Sequence, residues 1–283
     1  MFAPVDTRNP QSVEAEVLST HDRLFGSDPA GFVSVAFRWA AECFQGRRPG
    51  YQAIDARYHD FEHTLQGTLC LARILEGRQR AGALPRLTQN QFHTSLLAIL
   101  FHDTGYLKEA GDNEGTGAKY TLTHVARSIE FASTFLREHG CPEAQVELIR
   151  NMIRCTGLSA DVRSIPFLDD LERLLGFALA TADLLGQMAA LDYAEKLPFL
   201  YLEFAEAAQH DTRDAGSGRL FYASPEELIR NTPRFWRSYV LPRLTESFGG
   251  LHRFLNQPYP NGPNAYLDQV ERNITKLEHS LGM

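Results

Sequence analysis

The chain has 283 residues, with 43% hydrophobic and 22% charged side chains, and 28 Lys+Arg against 35 Asp+Glu for a formal net charge of -7. This is ordinary globular usage with enough apolar material for a sizeable core, which excludes collagen-like, low-complexity and largely disordered chains. The acidic balance and the lack of a long basic run leave no footprint for the phosphate backbone of a polymeric nucleic acid.

At the N-terminus, Pro4, Asp6 and Pro10 interrupt the stretch that an export signal would keep apolar. Beyond it, apolar residues recur at three- and four-residue intervals, the pattern of amphipathic helices. Helices are predicted over roughly 11–25 and 31–45, along Leu65, Leu69, Ala72 and Leu75, along Leu96, Leu97 and Leu100, and along Ile129, Phe131, Phe135 and Leu136. Further helices are predicted over roughly 143–155, 170–193, 197–209, 225–248 and 263–281. Ser224-Pro-Glu-Glu227 is a start signal, with Ser as N-cap, Pro in the first helical position and Glu three residues after the cap. No strand alternation or internal repeat appears, and the polar stretch Asp211–Gly218 is too short to act as a linker between domains. The expectation is one all-α domain over residues 1–283, with its motif-bearing core at about 58–245. The longest apolar stretches, Leu96–Phe101 and Phe177–Ala182, fall far below the roughly 20 residues of a membrane span. Four scattered cysteines without a C-x-x-C pair fit a reducing compartment, so a soluble cytoplasmic protein with no membrane partner is expected.

Four His-Asp dipeptides occur, at His21, His59, His102 and His210. Only His102-Asp103 closes a strongly apolar helix, Ser95–Phe101, and runs on into Thr104-Gly105-Tyr106. Polar groups at the buried end of a core helix are costly unless paired or bound to a metal, so this pair demands a partner. The pairs at 21 and 210 read as solvated surface. In Tyr58-His59-Asp60-Phe61-Glu62-His63, the two histidines stand four apart on one helix face. They can supply two metal ligands or one ligand and a proton donor, although such a pair also fits two exposed histidines. Asp183 is a lone carboxylate in the apolar helix Leu175–Met188.

With these residues in order, the chain resembles the HD superfamily of metal-dependent phosphohydrolases, whose signature is a His, a His-Asp pair and a distant Asp: here His63, His102-Asp103 and Asp183. Within it, the chain is similar to the catalytic domain of class I cyclic nucleotide phosphodiesterases, which share Tyr-His-Asn-x-x-His at the first element, where this chain has Asp60 in place of Asn. The likeness continues through Leu97–Tyr106, Ala182-Asp183, Ser224-Pro225 and Phe235–Pro242. It implies a compact multi-helix HD fold and a first metal ion held by His63, His102, Asp103 and Asp183. It further implies that Asp103 bridges to a second ion and that His59 is the general acid toward the leaving oxygen. His124, 21 residues after Asp103, matches a position where superfamily members keep a His for the second metal or a phosphate. Two divalent ions, of Mg, Mn, Zn or Fe, would activate water on a nucleotide or other small phosphate ester.

Departures bear on the substrate. The purine-holding Gln of those phosphodiesterases is Thr232 here, three residues before the clamp Phe235, and a pocket Asn is Gly186. Phe235 and Trp236 are candidates to stack on a ring. Lys119 and Arg127 are possible phosphate contacts, with solvated surface the favoured reading. A di-iron oxygenase on the same scaffold and a non-catalytic ligand-binding domain are the alternatives. Arg154-Cys155-Thr156, where the oxygenase reading wants a further His, favours hydrolysis.

Overall fold

Ten α-helices and no β-strand occur among residues 2–210 and 222–281, which are those the computed structural model describes. They are α1 Pro10–Phe25, α2 Phe32–Phe44, α3 Phe61–Arg80, α4 Gln89–Phe101, α5 His124–Glu138, α6 Glu143–Arg154, α7 Asp170–Met188, α8 Tyr193–His210, α9 Pro225–Phe235 and α10 Ala265–Ser280. The all-helical class expected from the periodicity is the one the protein has. The Asp211–Gly218 stretch and the Asp of the fourth His-Asp pair lie outside the described residues.

The helix starts follow capping chemistry. Asp60 is the N-cap of α3 and accepts a hydrogen bond from the His63 backbone N–H at 2.8 Å. Asp and Asn cap about equally well, so the Asp60 that departs from the phosphodiesterase pattern costs the helix start nothing. Thr88 and Gln91 close a full capping box on α4. Ser224 caps α9 through the Glu227 N–H at 3.2 Å. The predicted helix over 225–248 does not run unbroken: after Phe235 it widens into two π-helical segments, Trp236–Val240 and Arg243–Ser247, the second following directly on Pro242. A proline removes one ladder donor, a local cause for the changed register.

Helices α3 and α7 pack at the centre, with α1, α4, α6 and the turn Leu251–Leu255 around them, while the turn after α4 packs on α5. The two central helices are buried along nearly their whole length, and they approach closely at Gly67 and Gly186. A Cβ on Gly186 would lie 2.7 Å from the backbone of Gln66 and Gly67. The glycine that stands where the resemblance expected a pocket Asn is therefore required by helix packing. No single helix among the described residues is long and apolar enough to cross a membrane; α7 and α8 reach that length only as a pair bent by 111°.

One surface expectation is corrected. His21 is fully buried, its ring stacked on His93 at 5.1 Å, and His93 is stacked in turn on Phe32 at 3.9 Å. The other groups facing this stack are Asp22, Asp28 and Gln89. Burial, helped by His21, pushes His93 from its ordinary 6.5 down to about 4. His93 is thus neutral when folded but protonates in the unfolded chain below 6.5, so stability falls as the pH drops from about 6.5 to about 4. With the ring only half buried, a loss on the order of 1 kcal/mol is expected from this residue. Urea titrations at pH 7 and pH 4.5 should show a smaller acid loss for His93→Phe than for the wild type. Parallel losses in the two proteins would remove His93 as the titrating group.

Candidate metal centre

The apolar helix α4 delivers His102 as its C-cap residue and Asp103 as the first residue of the tight turn Thr104–Tyr106. Gly105 is obligatory in that turn, because a Cβ there would stand 2.0 Å from the His124 carbonyl oxygen. The same close approach brings the start of α5, and with it His124, against Asp103. Helix α3 supplies His63 and α7 supplies Asp183.

These side chains converge. His63 Nε2 lies 3.3 Å from Asp103 Oδ2 and 3.2 Å from Asp183 Oδ1, and His102 Nε2 lies 3.3 and 3.4 Å from the same two oxygens. Ligands bound at roughly 2.1 Å to one cation and 90–110° apart are separated by about 3.0–3.4 Å, so the four atoms are spaced as the shell of a single ion. The buried His102 Nε2 and Asp103 Oδ2 have no hydrogen-bond partner, which is how donors that await a cation look. The outer contacts agree with this. His102 donates Nδ1–H to the Ile99 carbonyl at 2.7 Å, which leaves Nε2 free as a ligand. Gln187 Nε2 donates to Asp183 Oδ1 at 3.3 Å, while its Oε1 accepts from the Tyr58 hydroxyl at 2.7 Å. The residues present therefore fit a metal ion.

Asp103 faces a second side as well. Its Oδ1 lies 3.8 Å from His124 Nε2, and His124 donates Nδ1–H to the Thr121 carbonyl at 2.6 Å. Ligand atoms of His59, His63 and Asp103 form a second possible group, all within 4.8 Å of one another. Without metal, the cluster is an ion-pair network. Burial opposes charge on His63, but the facing carboxylates of Asp103 and Asp183 overcome it and raise the ring to about 10. Burial likewise opposes the Asp103 carboxylate, and the facing His102 and His63 hold it well below its usual range; Asp183 is lowered in the same way. His124 is pushed below its ordinary value by burial.

His59 is held by a residue that the sequence reading did not single out. Its Nδ1 meets Glu203 Oε2 at 2.5 Å, and Glu203 Oε1 also accepts the Tyr58 N–H at 2.6 Å. One face of α8 runs along this edge of the site: Lys196 binds Glu62 at 2.9 Å, Phe199 lies under Arg57, Glu203 holds His59, and Glu206 holds the Thr116 hydroxyl at 2.7 Å. The spacing 196, 199, 203, 206 is that of one helix face and was readable, but nothing in α8 alone says what that face meets. Tyr106, also missed as a site residue, is fully buried and lies against both His59 and His124, with ring centroids at 4.7 and 4.9 Å.

Other candidates go elsewhere. Thr232 is buried and donates to the Leu228 carbonyl, and Phe235 stacks on Tyr239 at 5.1 Å. Trp236 donates to Glu271. None of the three is joined to the histidine–aspartate cluster by a hydrogen bond or ring contact among the described residues. Lys119 is bound to Asp112, and Arg127 to the Gly105 and Leu107 carbonyls with its guanidinium over Tyr120, so both serve the structure of the turn. At the place of the oxygenase's further His, Arg154 pairs with Asn151 and Cys155 is buried.

No curated protein matches the sequence. The pattern of one family, described as Npun_R2479-like, matches residues 110–280, a span that includes His124, Asp183 and Glu203 and begins after His59, His63, His102 and Asp103. As that is more than half of the chain, the protein belongs to the Npun_R2479-like family.

Proposed function

We propose that this protein is a divalent-metal phosphohydrolase of the HD type, acting as a phosphodiesterase on a nucleotide or other small phosphate ester. The observation that carries the reading is the meeting of His63, His102, Asp103 and Asp183 with ligand atoms 3.2–3.4 Å apart, beside a histidine oriented by a buried carboxylate. His63, His102, Asp103 and Asp183 would hold one ion, and the other Asp103 oxygen with His124 would serve a second. Bound there, Mg²⁺, Mn²⁺, Zn²⁺ or Fe²⁺ would supply Lewis acidity to a phosphoryl group and lower the pKa of a water.

The remaining chemistry belongs to the chain. Glu203 takes the Nδ1–H of His59 and fixes the ring, so that Nε2 presents its proton to the departing alkoxide oxygen. Tyr106 covers the His59 and His124 rings and keeps water from that face. Gln187, held by Tyr58, keeps the Asp183 carboxylate turned toward His63 and His102.

The test is hydrolysis of bis(p-nitrophenyl) phosphate and a panel of cyclic and linear nucleotides by metal-stripped protein reloaded singly with each ion. Turnover with at least one ion is expected. His59→Gln should slow esters with poor leaving groups about 10²-fold or more and the nitrophenyl ester much less, since only a poor leaving group needs its proton. No turnover with any ion defeats the hydrolase reading; equal slowing of both ester classes removes the acid role of His59.

A further inference from the structure

The cations around this site are committed, with one exception. Lys196 is bound to Asp60 and Glu62, Lys108 to Asp55 and the Gly115 carbonyl, Lys119 to Asp112, and Arg127 to two backbone carbonyls. Arg57, two residues before His59, is exposed and has no carboxylate or carbonyl partner among the described residues. It is nonetheless not loose, because its guanidinium lies 3.9 Å from the centre of the Phe199 ring. Phe199 stands one helical turn before Glu203 on the face of α8 that holds His59. The stack therefore sits on the seam between α8 and the 55–60 segment, beside the general acid.

We infer that Arg57 is a specificity-determining contact for a second anionic group of the substrate, so that the preferred ester carries a further phosphate or carboxylate at a position remote from the reacting phosphorus. This rests on the phosphohydrolase reading. The reacting phosphoryl group would be met by the metal centre, but a second anion along the same edge would face Asp60, Glu62, Glu203 and Glu206 on or opposite α8. Repulsion from those carboxylates leaves Arg57 as the favourable place for it. A guanidinium stacked on a phenyl ring keeps its edge N–H donors free, and the stacking fixes in advance a side chain that would otherwise lose rotamer freedom on binding. Two parallel N–H donors suit a phosphate or carboxylate in the fork geometry.

The test compares the p-nitrophenyl ester of thymidine monophosphate with and without a second phosphate on the other sugar oxygen, using wild type, Arg57→Gln and Arg57→Lys. It is paired with calorimetric binding of thymidine bisphosphate and thymidine monophosphate to the as-purified protein. The wild type should prefer the doubly charged member of each pair by about tenfold, the size of one charge-assisted hydrogen bond pair. Arg57→Gln should lose the preference through a higher KM, and Arg57→Lys should keep some of it. Equal affinity of the two ligands for the wild type, including no binding of either, overturns the inference, as does a preference that survives in Arg57→Gln. A wild type that hydrolyses neither ester with any metal defeats the phosphohydrolase reading instead, and the binding ratio then decides Arg57 alone.

Discussion

Replacing Asp103 by alanine is expected to strip the protein of bound metal and to abolish hydrolysis, with metal content falling from stoichiometric to below about a tenth and turnover dropping at least about 10³-fold. The reason is its position. Oδ2 is 3.3 Å from both His63 Nε2 and His102 Nε2, while Oδ1 faces His124 Nε2 at 3.8 Å, so one residue serves both sides of the centre. Asp183, by contrast, meets only the first pair of imidazoles. Asp183→Ala should therefore weaken the first site and spare the His124 side. Asp103→Asn is the sharper control: it keeps the volume but not the negative charge, and it should lose the metal almost as completely. Stability should fall as well, because taking one member out of a buried ion network leaves His63 and His102 buried without part of their counter-charge, a loss of about 3–5 kcal/mol. The metal-free melting temperature of Asp103→Ala should lie below that of the wild type, and the stabilisation gained on adding metal should disappear.

The same network sets a pH dependence. In the metal-free protein the two carboxylates outweigh burial, holding His63 at about 10, so that this imidazole carries a proton at neutral pH, and raising His102 above its ordinary value. An imidazole must lose its proton to bind a cation, and binding at pH 7 therefore releases protons, so apparent affinity rises with pH across the neutral range. Metal content measured after equilibration between pH 6 and 9 should follow that direction in the wild type. If Asp103→Ala retains stoichiometric metal under the same conditions, the centre is not where these four side chains meet.

What could be read in advance follows the reach of each interaction. His102-Asp103 and Asp183 were legible because each breaks a local rule, a polar group placed on or at the end of an apolar helix, and His63 because it stands four residues after His59 on one helix face. The helices themselves were legible by period, with α1, α2 and α10 found within two residues of their predicted bounds. Glu203 was not legible: on α8 it looks like one acid among several, and its role arises only when that helix packs against the 55–60 segment. His21 was misread for the same reason, since its burial comes from α4 bringing His93 and Phe92 against α1. Gly186 has a cause that the sequence did not show: it was read as a departure from a pocket Asn that bears on the substrate, and the helix crossing leaves no room there for any side chain.

That crossing makes the second large prediction. An alanine at an interior helical glycine normally stabilises by roughly 1 kcal/mol through helix propensity. Gly186→Ala should do the reverse and cost about 3 kcal/mol, because its Cβ would meet the Gln66 and Gly67 backbone at 2.7–2.8 Å, and backbone cannot rotate away. The two helices must then move apart, and each carries a ligand one turn away: His63 lies three residues before Gln66, and Asp183 three residues before Gly186. Metal affinity should fall together with stability. Gly67→Ala, on the same crossing, is the internal reference. Its Cβ would meet Ile99 Cδ1 at 3.3 Å, the end of a side chain that can shift, so a change within about 1 kcal/mol is expected there. Urea titration of the three proteins, followed by metal titration of each, separates the two effects. A Gly186→Ala variant as stable as the wild type and with unaltered metal affinity would mean that α3 and α7 do not fix the distance between His63 and Asp183.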